Sequence, residues 1–308
     1  MGETVEMIDL HNHILPGLDD GPQTMEESIR MCRIAYQDGI RTIVATPHTL
    51  NGVYQNGRAT IFSKVQEMNE AIAKCGIRES EFRMNSEKSA IRNLSEPEGS
   101  PSGAEAPLSE LEDSPSRKLG RSLSRRPQSE IDLRILPGAD VHFCEEIFSQ
   151  LDQRKVTTIG DGKKYLSIEF PFHGIPYRAE EVLFQLMARG IVPVISHPER
   201  NLEIGRRPLR YYEMIRVGCL GQVTGMSLTG GFGHGIKRIA EKLLSHRLLH
   251  FIGSDAHSIN GRPPILSSAV RAVEKILGKE EARRMVTDYP RAILEGKRPN
   301  VPELIPFH

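Results

Sequence analysis

The chain has 308 residues, enough for one large α/β domain or two ordinary ones, and its 40 Lys and Arg balance 40 Asp and Glu to a formal charge of zero. That balance gives no bulk electrostatic reason to bind nucleic acid or an anionic membrane. Four scattered cysteines, Cys32, Cys75, Cys144 and Cys219, show neither Cys-x-x-Cys nor disulfide-framework spacing, and with no signal-peptide pattern or membrane-length apolar run the expectation is a cytoplasmic chain, not membrane-embedded.

Met7–His13 reads as a short strand on which alternation puts His11 and His13 on one face. A turn through Pro16, Gly17, Asp19, Asp20 and Gly21 follows. Thr24-x-x-Glu27 is a capping box that opens a helix to about Asp38, and Gly39 ends it. Arg41–His48 is a second strand ending in a histidine, and Thr60–Gly76 a second helix. From about Glu79 to Glu130 there are twelve serines and five prolines but few large apolar residues. Such a stretch buries too little apolar surface to offset the entropy of ordering, so 79–130 is expected to be a low-complexity, disordered insertion within one catalytic domain spanning 1–308.

Order resumes at Ile131. Asp132–His142 gives a third strand carrying Asp140, and Lys164–Phe170 a fourth carrying Glu169. Arg178–Arg189 is helical, Val192–Arg200 holds a fifth strand running into His197, and Leu220–Thr224 is a sixth. Helices near Pro208–Val217 and Gly235–His246 flank that sixth strand. Leu249–His257 gives a seventh, carrying Asp255 and His257, and helices near Ile265–Leu277 and Glu280–Val286 complete the pattern. Seven apolar strands alternating with helices indicate a parallel α/β architecture. Strands one, two, three, four, five and seven each end in His, Asp or Glu, and a closed barrel brings such ends to one face. No Gly-rich phosphate loop supports a nucleotide-binding open sheet instead. A barrel is expected.

Nine side chains are candidate metal ligands: His11, His13, Asp20, His48, Asp140, Glu169, His197, Asp255 and His257. Mixed imidazole and carboxylate donors suit borderline divalent cations that take three or four protein contacts each, so nine ligands with a bridging carboxylate fit two or three metals.

These residues fall in recognisable motifs: Asp9-x-His11-x-His13, Asp19-Asp20-Gly21, Thr46-Pro-His48, Gly138-Ala-Asp140, Ile168-Glu169-Phe170, Ser196-His197-Pro-Glu-Arg200, and Ser254-Asp255-x-His257 followed by Asn260-Gly-Arg262-Pro-Pro. In that order the chain resembles the PHP (polymerase and histidinol phosphatase) superfamily. Within it, the resemblance is to the CpsB/CapC-type bacterial tyrosine-protein phosphatases that control capsule or exopolysaccharide synthesis. The resemblance implies a distorted seven-stranded (β/α)7 TIM-like barrel of the PHP type holding three divalent metal ions, Mn2+ first, with Fe, Zn or Co as alternatives. By analogy His11, His13, Asp140 and Asp255 hold one metal; Asp140, Glu169 and His197 a second, with Asp140 bridging; and Asp20, His48 and His257 a third. The family usually has Glu where Asp140 stands, and the shorter arm reaches about 1.5 Å less far.

The implied activity is hydrolysis of phosphotyrosine by attack of a metal-bridged hydroxide, on a phosphotyrosine protein such as a bacterial tyrosine kinase. No cysteine lies in the Cys-x5-Arg loop of a thiolate phosphatase. Arg200 and Arg262 are assigned to the non-bridging phosphate oxygens, because a planar guanidinium matches them. Asp9 is expected to orient a ligand histidine, while His142, His173, His234, His246, His250 and His308 are read as ordinary histidines. Rival readings are a small-molecule phosphomonoesterase such as a histidinol phosphatase, a nuclease-like phosphodiesterase, and a non-catalytic metal-binding regulator acting through the insertion. Oligomeric state is not legible.

Overall fold

Three of the expected strands form the middle of a parallel sheet because they are apolar runs buried along most of their length. These are β6 (Tyr165–Glu169), β7 (Val192–Ser196) and β8 (Leu220–Thr224). The computed structural model describes residues 6–75 and 133–307; the insertion expected over 79–130 lies outside the described residues. The remaining strands are β1 (Met7–Asn12), β2 (Ile40–Ala45), β3 (His48–Thr49), β4 (Arg134–Pro137), β5 (Asp140–His142) and β9 (Phe251–Gly253). Every pair among them is parallel, in a three-stranded sheet β1-β2-β4 and a six-stranded sheet β3-β5-β6-β7-β8-β9.

The sequence reading gives seven strands, and the nine among the described residues arise because its second and third are each cut in two. Pro47, between β2 and β3, has no N–H to donate to a ladder. At Gly138, between β4 and β5, the backbone runs so close to β2 that a Cβ would stand 2.5 Å from Val44 Cγ1. The breaks lie side by side and are tied together, the Asp140 N–H donating to Pro47 O at 3.2 Å. At the far end, Asn12 bridges in parallel to Ala256, just beyond β9, and the Asp255 N–H donates to His11 O at 2.8 Å.

Helices pack against these strands with apolar stripes at helical spacing. Helix α1 (Met25–Asp38) has the expected capping box: Thr24 Oγ1 accepts from the Glu27 N–H at 3.2 Å, and Glu27 Oε2 accepts from the Thr24 N–H at 3.3 Å. It stops at Gly39, whose φ of 98° is the left-handed conformation of a helix C-cap. Helix α2 (Arg58–Cys75) buries Ile61, Val65, Met68 and Ile72, each Val, Ile or Met contributing about 1.5–3 kcal/mol. Further helices are α3 (Ile147–Asp152), α4 (Ala179–Ala188), α5 (Leu202–Arg206), α6 (Leu209–Arg216), α7 (Gly225–Thr229), α8 (His234–Ser245), α9 (Ser267–Leu277), α10 (Lys279–Arg284) and α11 (Asp288–Leu294). The sequence reading missed α3, α5, α7 and α11, since five to seven residues are too few to show a 3.6-residue period. Among the described residues no helix is long and apolar enough to cross a membrane.

One core polar contact carries a pH signature. His250 is buried between β8 and β9, and its Nδ1 accepts the Gly221 N–H at 3.0 Å. Burial lowers its pKa from 6.5 to about 4. The folded state therefore favours the neutral ring, and this contribution, complete above pH 6.5, is lost as pH falls toward 4. From about pH 7.5 to about pH 5 the loss is about 2 kcal/mol. Urea unfolding of the wild type and of His250→Gln at both pH values should show a shallower pH dependence in the variant by that amount. Parallel profiles would rule out this role for the ring.

Candidate metal centre

The nine side chains singled out in the sequence meet in one basin, most of them from the C-terminal ends of strands or the loops that follow. His11 lies on β1, and His13 just past it on the same face. His48 opens β3 and Asp140 opens β5, directly opposite each other in register. Glu169 ends β6; His197 follows β7, and Asp255 and His257 follow β9. Asp20 comes from the turn after β1. His197 and Asp255 hold φ of 34° and 52°, a left-handed backbone that costs a non-glycine residue on the order of 1–3 kcal/mol and persists where surroundings enforce it.

The rings are packed closely. His13 and His257 have centroids 3.9 Å apart, His13 and His48 4.4 Å, and His11 and His197 5.7 Å. Donor atoms fall into four overlapping groups, each with all its atoms within 4.8 Å of one another. They are His13/Asp20/His48/His257, His11/Asp140/His197, His11/His13/Asp255 and His48/Asp140/Glu169. Asp140 belongs to two groups through an oxygen, Oδ2, that is 3.7 Å from His11 Nε2, 3.7 Å from His48 Nδ1 and 3.8 Å from His197 Nε2.

Satisfaction of these groups is one-sided. Asp140 Oδ1 accepts from Ser167 Oγ at 2.9 Å and Ser196 Oγ at 2.8 Å, while Oδ2 is buried without a hydrogen-bond partner. His48 Nδ1, His197 Nε2 and His257 Nε2 are likewise buried and unpaired. Orphaned polar atoms of this kind are rare and each costs about 1–3 kcal/mol. Four of them converging on one space, from imidazoles and a carboxylate, fit the donor set of a divalent metal.

The electrostatics agree. Burial alone would raise the pKa of Asp140 and Asp255, yet facing imidazoles, with Arg200 and Arg262 beside Asp255, hold both well below the usual carboxylate range. Burial lowers the pKa of His11 to about 4, against the pull of Asp140 and Asp255. His13 is pushed the other way, to about 10: burial opposes the charge, but the Asp19 carboxylate against its Nδ1 at 2.7 Å outweighs it.

Four side chains, Asp9, Asp19, Gln222 and His142, stand differently from the sequence reading. Asp9 touches no imidazole. Its Oδ1 accepts from the backbone N–H of His11 and of Ser254, and its Oδ2 from Asn12 Nδ2 and Ser254 Oγ, so it ties β1 to the loop after β9. The imidazole orienters are residues given no role in the sequence, Asp19 on His13 and Gln222, whose Oε1 lies 2.9 Å from His11 Nδ1. Asp19 had one visible cue, its place in Asp-Asp-Gly; Gln222 had one too, a polar residue inside a buried strand. Gly253 leaves room for the Gln222–His11 pair, since a Cβ there would stand 2.6 Å from Gln222 Nε2 and 2.8 Å from His11 Cβ. Arg200 and Arg262 do reach the basin, where both guanidiniums donate to Asp255 Oδ2. His142, read as ordinary, has its Nδ1 3.6 Å from Glu169 Oε2 at the edge of the basin.

Comparisons with known proteins converge on one family. The family model described as "Capsular polysaccharide synthesis, CpsB/CapC" matches residues 7–89 and 109–295. The chain is 33% identical over 274 residues to the tyrosine-protein phosphatase YwqE of Bacillus subtilis, covering 89% of this chain and 86% of that protein. It is 27% identical to the tyrosine-protein phosphatase CpsB of Streptococcus pneumoniae, covering 94% and 98%. Crystal structures of YwqE and CpsB, described as unique metal-dependent tyrosine phosphatases, include a chain that superposes with a TM-score of 0.75 at 31% identity over 98% of this chain and 100% of that one.

The orienting contact of Asp19 can be tested apart from catalysis. Asp19→Ala should keep the fold but weaken divalent-metal binding by about 10–100-fold, read as a rightward shift in a Mn2+ titration. An unshifted curve would reduce Asp19 to a residue that shapes the turn.

Proposed function

The chain belongs to the CpsB/CapC family, and on that premise we propose that it is a metal-dependent protein-tyrosine phosphatase whose basin holds three divalent ions, manganese foremost. The observation that carries this reading is the set of buried, unpartnered donor atoms on His48, Asp140, His197 and His257 facing one space. The proposed partition puts His11, His13, Asp140 and Asp255 on one ion, Asp140, Glu169 and His197 on the second, and Asp20, His48 and His257 on the third. Bound there, such ions would acidify coordinated water toward neutral pH and draw charge from the phosphoryl oxygens.

The chain's own residues supply the rest. Asp140, Asp255, Glu169 and Asp20 are held ionised by the imidazoles and guanidiniums around them, so they present charged donors across the physiological range. Arg200 and Arg262 sit at the rim of the same basin, 22% and 25% exposed. Their planar guanidiniums fit the non-bridging oxygens of a phosphomonoester. Nucleophilic cysteine chemistry finds no support: Cys32 and Cys219 are buried thiols with pKa pushed up by burial, and that of Cys144 is raised to about 11.

The seven expected strands, with breaks at Pro47 and Gly138, are read as a distorted (β/α)7 TIM-like barrel. The parallel contacts of β1 with β2 and with the segment after β9 support that reading. The catalytic domain is taken as 1–308 interrupted by 79–130. The substrate is taken to be a cytoplasmic phosphotyrosine protein, a bacterial tyrosine kinase of capsule or exopolysaccharide synthesis.

Phosphate release from a phosphotyrosyl peptide should appear with added Mn2+, vanish with chelator and fall by at least about 100-fold in His11→Ala, on the scale of a lost group in the catalytic site. Turnover that survives chelation, or a large kcat/KM preference for histidinol phosphate, would overturn the assignment.

A further inference from the structure

Arg200 and Arg262 reach the basin from different loops. Arg200 closes the turn after β7, and Arg262 lies in the loop whose Arg262 carbonyl accepts the N–H of His257 at 2.9 Å. Two side chains nevertheless touch both guanidiniums. One is Asp255, through Oδ2. The other is Phe232, half-buried in the Gly230-Gly231-Phe232-Gly233 turn between α7 and α8, whose ring centroid lies 5.3 Å from Arg200 Cζ and 5.6 Å from Arg262 Cζ.

The two contacts act on different parts of a guanidinium. A carboxylate accepts in the plane and occupies N–H donors, whereas an aromatic ring attracts the cation through its face and leaves the donors free. Donors are left over, since each guanidinium spends one nitrogen on Asp255, Nη1 of Arg200 and Nη2 of Arg262, and Arg262 Nε has no hydrogen-bond partner. An unpaired N–H on a fixed cation is a ready position for an oxyanion.

We infer that Phe232 is a positioning residue for phosphate recognition: its ring holds the two guanidiniums side by side at the rim, with donors free for the phosphate oxygens. The inference rests on the assignment of Arg200 and Arg262 to the phosphate made above. Phe232 is none of the nine candidate metal ligands. Its loss should therefore weaken phosphate binding and leave metal loading untouched.

The test compares Phe232→Leu and Phe232→Met, which remove the π-face, with Phe232→Tyr, which keeps it. KM and kcat are measured for a phosphotyrosyl peptide, inhibition is measured with inorganic phosphate, and metal content and thermal midpoint are measured on the same Mn2+-loaded protein. Leu and Met should raise both KM and the inhibition constant for phosphate by roughly tenfold, in line with two lost cation–π contacts. In both, kcat should stay within about threefold and metal content should not change, while Tyr should restore near-wild-type values. Arg200→Ala and Arg262→Ala are measured alongside. If they weaken phosphate inhibition while Leu and Met do not, the platform is wrong and the arginine assignment stands. If neither arginine variant affects phosphate, the assignment itself fails. A drop in metal content or thermal midpoint in both Leu and Met variants, matching their loss of affinity, would make Phe232 a structural residue and overturn the inference.

Discussion

Buried negative charge is the constraint that organises this protein. Asp140 and Asp255 are 0% and 1% exposed, and an ionised carboxylate in such a place costs several kcal/mol unless it is compensated. Each is compensated through one oxygen. On Asp140, Oδ1 takes two serine hydroxyls; on Asp255, Oδ2 takes two guanidiniums and lies 3.4 Å from Thr224 Oγ1. The other oxygen faces imidazole nitrogens, Asp255 Oδ1 lying 3.4 Å from Nε2 of both His11 and His13. A carboxylate half satisfied by its scaffold and half turned to neighbouring donor atoms is what a cation site requires before the cation arrives.

The backbone brings these groups together by bending where an ordinary strand would run on. Pro47 and Gly138 break two adjacent strands at the same level, and the shifted pieces open on His48 and Asp140. Downstream, the chain turns through left-handed residues at His197 and Asp255. Neither is left to itself: the Arg200 N–H donates to His197 O at 3.0 Å, and the Asp255 N–H to His11 O at 2.8 Å. Strain held by such bonds lies on two of the candidate ligands themselves, where a stable scaffold can bear it.

Much of this was legible in the sequence, for physical reasons that differ by element. The capping box at Thr24 and the stop at Gly39 are local chemistry, and α1 begins and ends there. β8 was placed at its observed bounds because an apolar run between two helices leaves little choice. Strand-end histidines and acids announced the basin, since parallel strands deliver their ends to one side. The strand breaks were not legible, because each depends on the neighbouring strand: nothing in Leu-Pro-Gly-Ala-Asp by itself reports how near Val44 passes. Gln222 and Phe232 were missed for a related reason. Their roles are defined by partners 211 residues away in one case and by guanidiniums from two other loops in the other.

In Asp140 the strand break places a short, buried carboxylate arm among three imidazoles. It stands at the first position of β5, opposite His48 on one side and Ser167 on the other, so the backbone brings it close. The Ser167 and Ser196 hydroxyls then fix Oδ1, leaving Oδ2 as the oxygen that faces His11, His48 and His197 together. With Oδ1 already engaged, Asp140 can join the two ligand groups it shares only through Oδ2. The two serines therefore set the direction of the free oxygen, and the strand break sets how near Asp140 comes to the three imidazoles.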